Sequence, residues 1–158
     1  MTTDHVRVAY STFRKIAPDA YAALSALGQA VGDAGLDKGL TELARLRASQ
    51  INGCAFCIQF HLNAARRAGV AAAKLDLAAA WRDAGIFSGQ ERAALAWTEH
   101  LTRMASEGAP DQAYAALREQ FTEKQAVFLT VTIGTINNWN RIAVALRFAP
   151  PIAEMNAA

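Results

Sequence analysis

Glu42-Leu43-Ala44-Arg45-Leu46-Arg47-Ala48-Ser49-Gln50-Ile51-Asn52-Gly53-Cys54-Ala55-Phe56-Cys57-Ile58-Gln59-Phe60-His61 is where the chain concentrates its reactive side chains. Both cysteines of the 158-residue chain lie here, with one of its three histidines and an acid one helix earlier. Asn52-Gly53 reads as a helix stop, because glycine tolerates the left-handed conformation that ends a helix. The run from Cys54 to Arg67 contains no Gly or Pro. Its composition predicts a new helix with Cys54 in the first turn. At about 100° per residue, Cys54, Cys57 and His61 then fall within roughly 60° of one another. Cys57 and His61 are i, i+4 neighbours, about 6 Å apart at Cβ.

That spacing suits thiol chemistry. The thiolate is the reactive form, and both a helix N-terminus and an imidazolium favour it. Cys54 receives more of the first effect and Cys57 more of the second, so the pattern alone leaves open which sulfur attacks. Glu42 sits on the preceding helix, which the Asn52-Gly53 turn can fold back. A carboxylate there would orient His61 and complete a Glu–His–Cys proton relay. A C-x-x-C in an otherwise cysteine-free chain reads first as a redox pair. Two other readings compete: a zinc site of Cys54, Cys57, His61 and Glu42, and two inert buried thiols. Haem attachment is excluded, since Ile58 follows Cys57 where a histidine is needed.

Glu42, eleven residues, Cys54-x-x-Cys57, three residues and His61 together resemble the core motif of the alkylhydroperoxidase D (AhpD) family, within the carboxymuconolactone decarboxylase superfamily. Asn137-Asn138-Trp139-Asn140-Arg141 resembles the family too, and the similarity spans about residues 15 to 150. The resemblance implies an all-helical, oligomeric thiol peroxidase, a trimer or hexamer, with no cofactor. By the same resemblance, Cys57 is oxidised by a hydroperoxide, Cys54 resolves the sulfenic acid as a disulfide, and Glu42 and His61 relay protons. An external dithiol reductant closes the cycle. Peroxidase members often carry a second histidine just before the second cysteine. Phe56 stands there in this chain, which shortens the relay. The superfamily's lactone decarboxylases lack the cysteine pair, so their activity is not implied.

The rest of the chain fits an all-α reading: a single compact bundle of about six or seven helices, one domain over 1–158 with its core in about 15–150. Pro18 suits a first helical position, and a second helix starts near Asp37. A fourth helix is expected from about Ala71 to Trp81, nearly all Ala and Leu. Ser88-x-x-Glu91 and Thr122-x-x-Gln125 are capping boxes. The second opens the longest helix, to about Phe148, apolar nearly all round in its upper half and so expected at the bundle centre. Gly134 within it is expected to permit close packing. Asn137, Asn138 and Asn140 are poor helix-interior residues. They predict either buried backbone and subunit contacts or a place beside Cys57. Phe56 and Phe60 read as core, His5 as exposed, and His100 as a satisfied structural histidine. Glu42 shares no face with Leu43 or Leu46, so apart from the cysteines it reads as an exposed helix acid.

Composition narrows the partners. The formal charge of +2 is unclustered, and Arg45/Arg47 and Arg66-Arg67 read as solvated helix faces, so no nucleic-acid footprint is expected. No apolar run reaches the roughly 18 residues needed to cross a bilayer, and the first residues lack a signal-peptide pattern. A cytoplasmic location follows, where a C-x-x-C pair cycles. The apolar share of 53% exceeds the usual range of about 45–50%, which points to surface buried between subunits. Two alternatives to the peroxidase stand beside it: a dithiol–disulfide exchange protein, and a non-enzymatic zinc-binding or assembly module.

Overall fold

The structure, a computed structural model, describes residues 5–152. Among them there is no strand, and the helices are α1 (Tyr10–Ile16), α2 (Pro18–Asp33), α3 (Lys38–Ile51), α4 (Ala55–Arg67), α5 (Ala72–Asp76), α6 (Trp81–Ala84), α7 (Gly89–Thr102), α8 (Met104–Glu107), α9 (Asp111–Gln120) and α10 (Glu123–Leu146). The all-α expectation holds, but the described residues carry ten helices and not six or seven. Part of the excess comes from one mistaken continuity. The single helix expected over 71–81 is broken into α5, a 3-10 turn at Ala78–Ala80, and α6. An Ala-rich run has helical propensity but few large side chains to hold one axis, so packing bends it.

Helix α3 is the hub. Eight of its residues are buried, among them Leu40, Leu43, Leu46 and Ala48. It packs against α4, α7 and α10. Helix α10 packs against α2, α3, α4, α7 and α9, a central place as expected, but its upper half is amphipathic and not buried all round: Ala126, Leu129 and Ile133 are buried while Val127 is 52% exposed. One core joins α3, α7, α9 and α10 around Leu40, Trp97, Leu117 and Leu129. Another joins α3, α4 and α7 to the short helices around Leu46, Ala65, Trp81 and Leu95.

Local chemistry sets the boundaries. Asp37 caps α3 by accepting from the Leu40 N–H at 2.8 Å. Both predicted capping boxes form, Ser88 with Glu91 and Thr122 with Gln125. At the far end of α10, Arg147 turns left-handed (φ 54°) and the Phe148 N–H returns to the Ala143 carbonyl at 3.0 Å. That turn throws Phe148 back onto the cysteine region. The Arg7 and Val8 N–H groups bond to the Leu146 carbonyl, so the segment before α1 is tied to the same end. From there α1 and α2 run over the cysteine-bearing end of the bundle.

Gly134 corrects a packing expectation. A Cβ built there meets nothing within 4 Å, so no close approach requires the glycine.

Candidate active site

The turn between α3 and α4 builds the site. Asn52 closes α3, Gly53 takes φ 65°, and the Cys54 N–H bonds to the Ser49 carbonyl at 3.0 Å. The two helices fold back on each other as a hairpin. Cys54 is not within the first turn of α4, as the sequence predicts, but is its N-cap. Its Sγ accepts the Cys57 backbone N–H at 3.3 Å. A sulfur in that role occupies the place a serine oxygen usually takes. Both cysteines are free thiols and buried.

The hairpin brings α3's acid to α4's imidazole. Glu42 Oε2 lies 2.6 Å from His61 Nδ1, and Arg45 Nη1 donates to the other oxygen, Oε1, at 2.7 Å. Glu42 is 4% exposed, as its spacing to the cysteine pair implies and unlike an ordinary helix acid. Burial alone would raise its carboxyl pKa. The His61 contact, then the Arg45 guanidinium, outweigh that and hold it below the ordinary carboxylate range. Arg45 was missed as a site residue because the Arg45/Arg47 pair reads as a solvated face. The available signal was its i, i+3 spacing from Glu42.

A cavity of about 390 Å³ opens onto this cluster. Cys57, His61 and Arg45 form its reactive wall, and Tyr21, Phe56, Phe60 and Trp139 much of the remainder. Cys54 does not line it. Phe56 and Phe60, expected as core, are wall residues here, and Phe60 is 44% exposed. The Phe56 ring stands 5.0 Å from Tyr10 and 5.4 Å from Phe148, centroid to centroid. The phenylalanine thus anchors α1 as the cavity's roof.

Access and charge divide between the two sulfurs. The Cys57 thiol faces Cys54 as a donor, and that hydrogen bond, with the Cys57 backbone N–H, brings the Cys54 pKa down to about 7 despite burial. Cys57 is raised, first because it gives its proton to Cys54 and second because it is buried. The pair therefore ionises as a unit, with charge favoured on the Cys54 side and the accessible atom on Cys57.

The asparagines fit the expectation of buried contacts better than that of a place lining the pocket, since none of Asn137, Asn138 and Asn140 lines the cavity beside Cys57. Asn137 and Asn140 are buried, and Asn52 donates to both, at 2.9 and 2.8 Å. Asn138 is exposed. His5 is exposed as expected. His100 is not satisfied: its buried Nδ1 makes no hydrogen bond, with a Glu107 carboxylate oxygen 3.4 Å away. Among the described residues, no three His, Cys, Asp or Glu side chains are grouped to hold a metal ion. Likewise among them, no helix is long and apolar enough to cross a membrane.

Residues 18–100 match the model of the carboxymuconolactone decarboxylase family. The chain belongs to that family. Within it the AhpD-like proteins are its kin. It is 35% identical over 135 residues to the uncharacterized protein YdfG of Bacillus subtilis (strain 168), covering 85% of this chain and 92% of that one. A crystal structure of a protein of unknown function from Agrobacterium tumefaciens, ATU0492, assigned provisionally to AhpD antioxidant defence, superposes with a TM-score of 0.88 at 40% identity. That match covers 94% of this chain and 99% of the other. The debrominase Bmp8 superposes with a TM-score of 0.76 at 20% identity, covering 84% and 72%. At that identity the debrominase shares the fold alone.

Proposed function

We propose that this AhpD-like protein is a thiol-dependent hydroperoxide reductase. The observation that carries the reading is the Glu42–His61 contact at 2.6 Å beside a cavity into which Cys57 opens and Cys54 does not. Cys57 passes its proton to Cys54, and its thiolate attacks the terminal peroxide oxygen. The O–O bond breaks, and a proton from His61, steadied by Glu42, completes the alcohol product. Cys57 is left as a sulfenic acid. Neutral His61 then draws the Cys54 proton. Cys54 attacks the Cys57 sulfur, hydroxide leaves with that proton as water, and the disulfide forms. An external dithiol slim enough to enter the cavity reduces the disulfide and is itself oxidised.

Burial favours this over exchange with protein disulfides. Cys54 and Cys57 are 1% and 3% exposed, which suits a small substrate better than a bulky partner. Assembly as a homo-oligomer, a trimer or hexamer, belongs to the same proposal. Its support is the family and such exposed apolar residues as Ile16, Val127 and Val144.

Intact-mass spectrometry tests the reading. One equivalent of an organic hydroperoxide should remove about 2 Da, the two thiol hydrogens, within the mixing time. A mass unchanged after prolonged exposure, with reduced thiols still titratable, overturns it.

A further inference from the structure

We propose that Asn140 is a further catalytic residue, donating a side-chain N–H to the Cys54–Cys57 sulfur pair and stabilising its negative charge. The inference rests on the thiol chemistry proposed above and adds a group the motif does not contain.

A chain of hydrogen bonds fixes which way the Asn140 amide points. Asn137 Nδ2 donates to the Ile133 carbonyl at 2.9 Å and to Thr102 Oγ1 at 3.2 Å. A carbonyl only accepts, so the Asn137 amide has one orientation, with Oδ1 toward Asn52. Asn52 must then donate. Its Nδ2 reaches Asn137 Oδ1 at 2.9 Å and Asn140 Oδ1 at 2.8 Å. Asn140 in turn keeps Oδ1 toward Asn52 and Nδ2 on the other side, where it donates to Ser49 Oγ at 3.1 Å. Ser49 spends its own hydrogen on the Arg45 carbonyl at 2.7 Å, so it is an acceptor for Asn140. One Asn140 N–H remains.

That hydrogen is buried, because Asn140 is 1% exposed. A buried donor needs an acceptor. Ile136 and Ala143 flank Asn140 on one face of α10, four residues before and three after. Both pack in the cluster that holds Cys54 and Cys57. Among the buried members of that cluster, only Cys54 and Cys57 carry a side-chain acceptor. Consistently, the Asn140 amide is among the influences that favour ionisation of each thiol. An N–H directed at a thiolate favours the charged form. It serves the charge favoured on Cys54 and remains in place when the charge moves to Cys57.

The test uses no peroxide, so it fails or succeeds apart from the peroxidase reading. The pH dependence of iodoacetamide alkylation at the reduced pair is measured for the wild type, Asn140→Ala and Asn140→Leu. Loss of the donor should move the alkylation midpoint up by about one unit from its starting value of about 7, making the reaction at pH 7 about fivefold slower. Ser49→Ala removes a neighbouring bond and leaves the sulfur donor, so it should lower the melting temperature with little change in midpoint. An unmoved midpoint in folded Asn140 variants overturns the proposal, as does an equal shift in Ser49→Ala. Should the Asn140 variants not fold, the wild-type side-chain amide signal of Asn140 is followed by NMR. It should shift with the same midpoint as the thiols, and an amide indifferent to their ionisation overturns the proposal.

Discussion

Two buried glutamates sit on neighbouring helices of this bundle and have been given opposite company. Glu99 on α7 is 3% exposed and is held by Arg47 Nε at 2.7 Å, Trp81 Nε1 at 2.9 Å and the Arg82 guanidinium. Glu42 on α3 is 4% exposed and is held by Arg45 and His61. Burial alone would raise both carboxyls, and in both the partners win and lower them. The difference is in what the partners can do. Guanidinium and indole groups hold their protons across the working pH range, so Glu99 is a clamp joining α3, α6 and α7. Imidazole gives and takes a proton near neutrality, and His61 opens on a cavity. The same device, a desolvated carboxylate held by its partners below the ordinary range, is a fastener in one place and a proposed relay in the other.

The sharpest break in the comparison is at the sulfur. Cys57→Ser should abolish peroxide consumption, a loss of at least about 10³-fold set by the missing nucleophile, while leaving thermal stability near wild type. Cys54→Ser should also stop turnover but still accumulate sulfenic acid, detectable with a dimedone probe. The reverse pattern reassigns the attacking thiol.

Next come the two carboxylates exchanged for amides. Glu99→Gln should cost about 3 kcal/mol in urea denaturation, since it removes a buried carboxylate's charge from the part-buried Arg47 guanidinium and from Arg82. Glu42→Gln should instead slow oxidation by about 10²-fold in stopped-flow peroxide assays, with the smaller stability loss of the two. If the larger stability loss falls on Glu42, it is a second clamp and the contrast fails.

Acid probes both at once. The folded-state pKa of each glutamate lies below its unfolded value of about 4.3. Their stabilisation is therefore complete above that value and is lost as pH falls through the depressed folded values. Urea midpoints measured from about pH 6 down to pH 3 should decline in the lower part of that range. Glu99→Gln should flatten the decline. The smallest effect is expected at Gly134→Ala, far from the argument: about 0.5–1 kcal/mol of added stability from helix propensity. A loss of stability there would place a contact where the fold leaves open space.

Much of this was legible in residue order because it is local. Capping boxes, the Asn52-Gly53 stop and the i, i+4 pairing of Cys57 with His61 depend on neighbours within a turn or two. The turn also brings Glu42 back to His61, so the meeting of acid and imidazole could be anticipated from spacing. What failed was whatever depends on partners distant in sequence. Helix count went wrong where an alanine run had propensity but no fixed axis. Phe56 reads as core until α1 arrives from another part of the chain and makes it a wall. Arg45 and Arg47 read as one solvated pair, yet they face different carboxylates, one on their own helix and one on α7.

The sequence by itself determined an all-helical chain with two thiols, an imidazole and an acid in register, because periodicity and capping act over a few residues. Only the tertiary structure decided which sulfur meets the cavity, which glutamate keeps a proton-moving partner and which way the Asn140 amide points. Those outcomes depend on hydrogen-bond acceptors and excluded water contributed by α1, α2 and α10, and no local pattern encodes the meeting of helices from opposite ends of a chain.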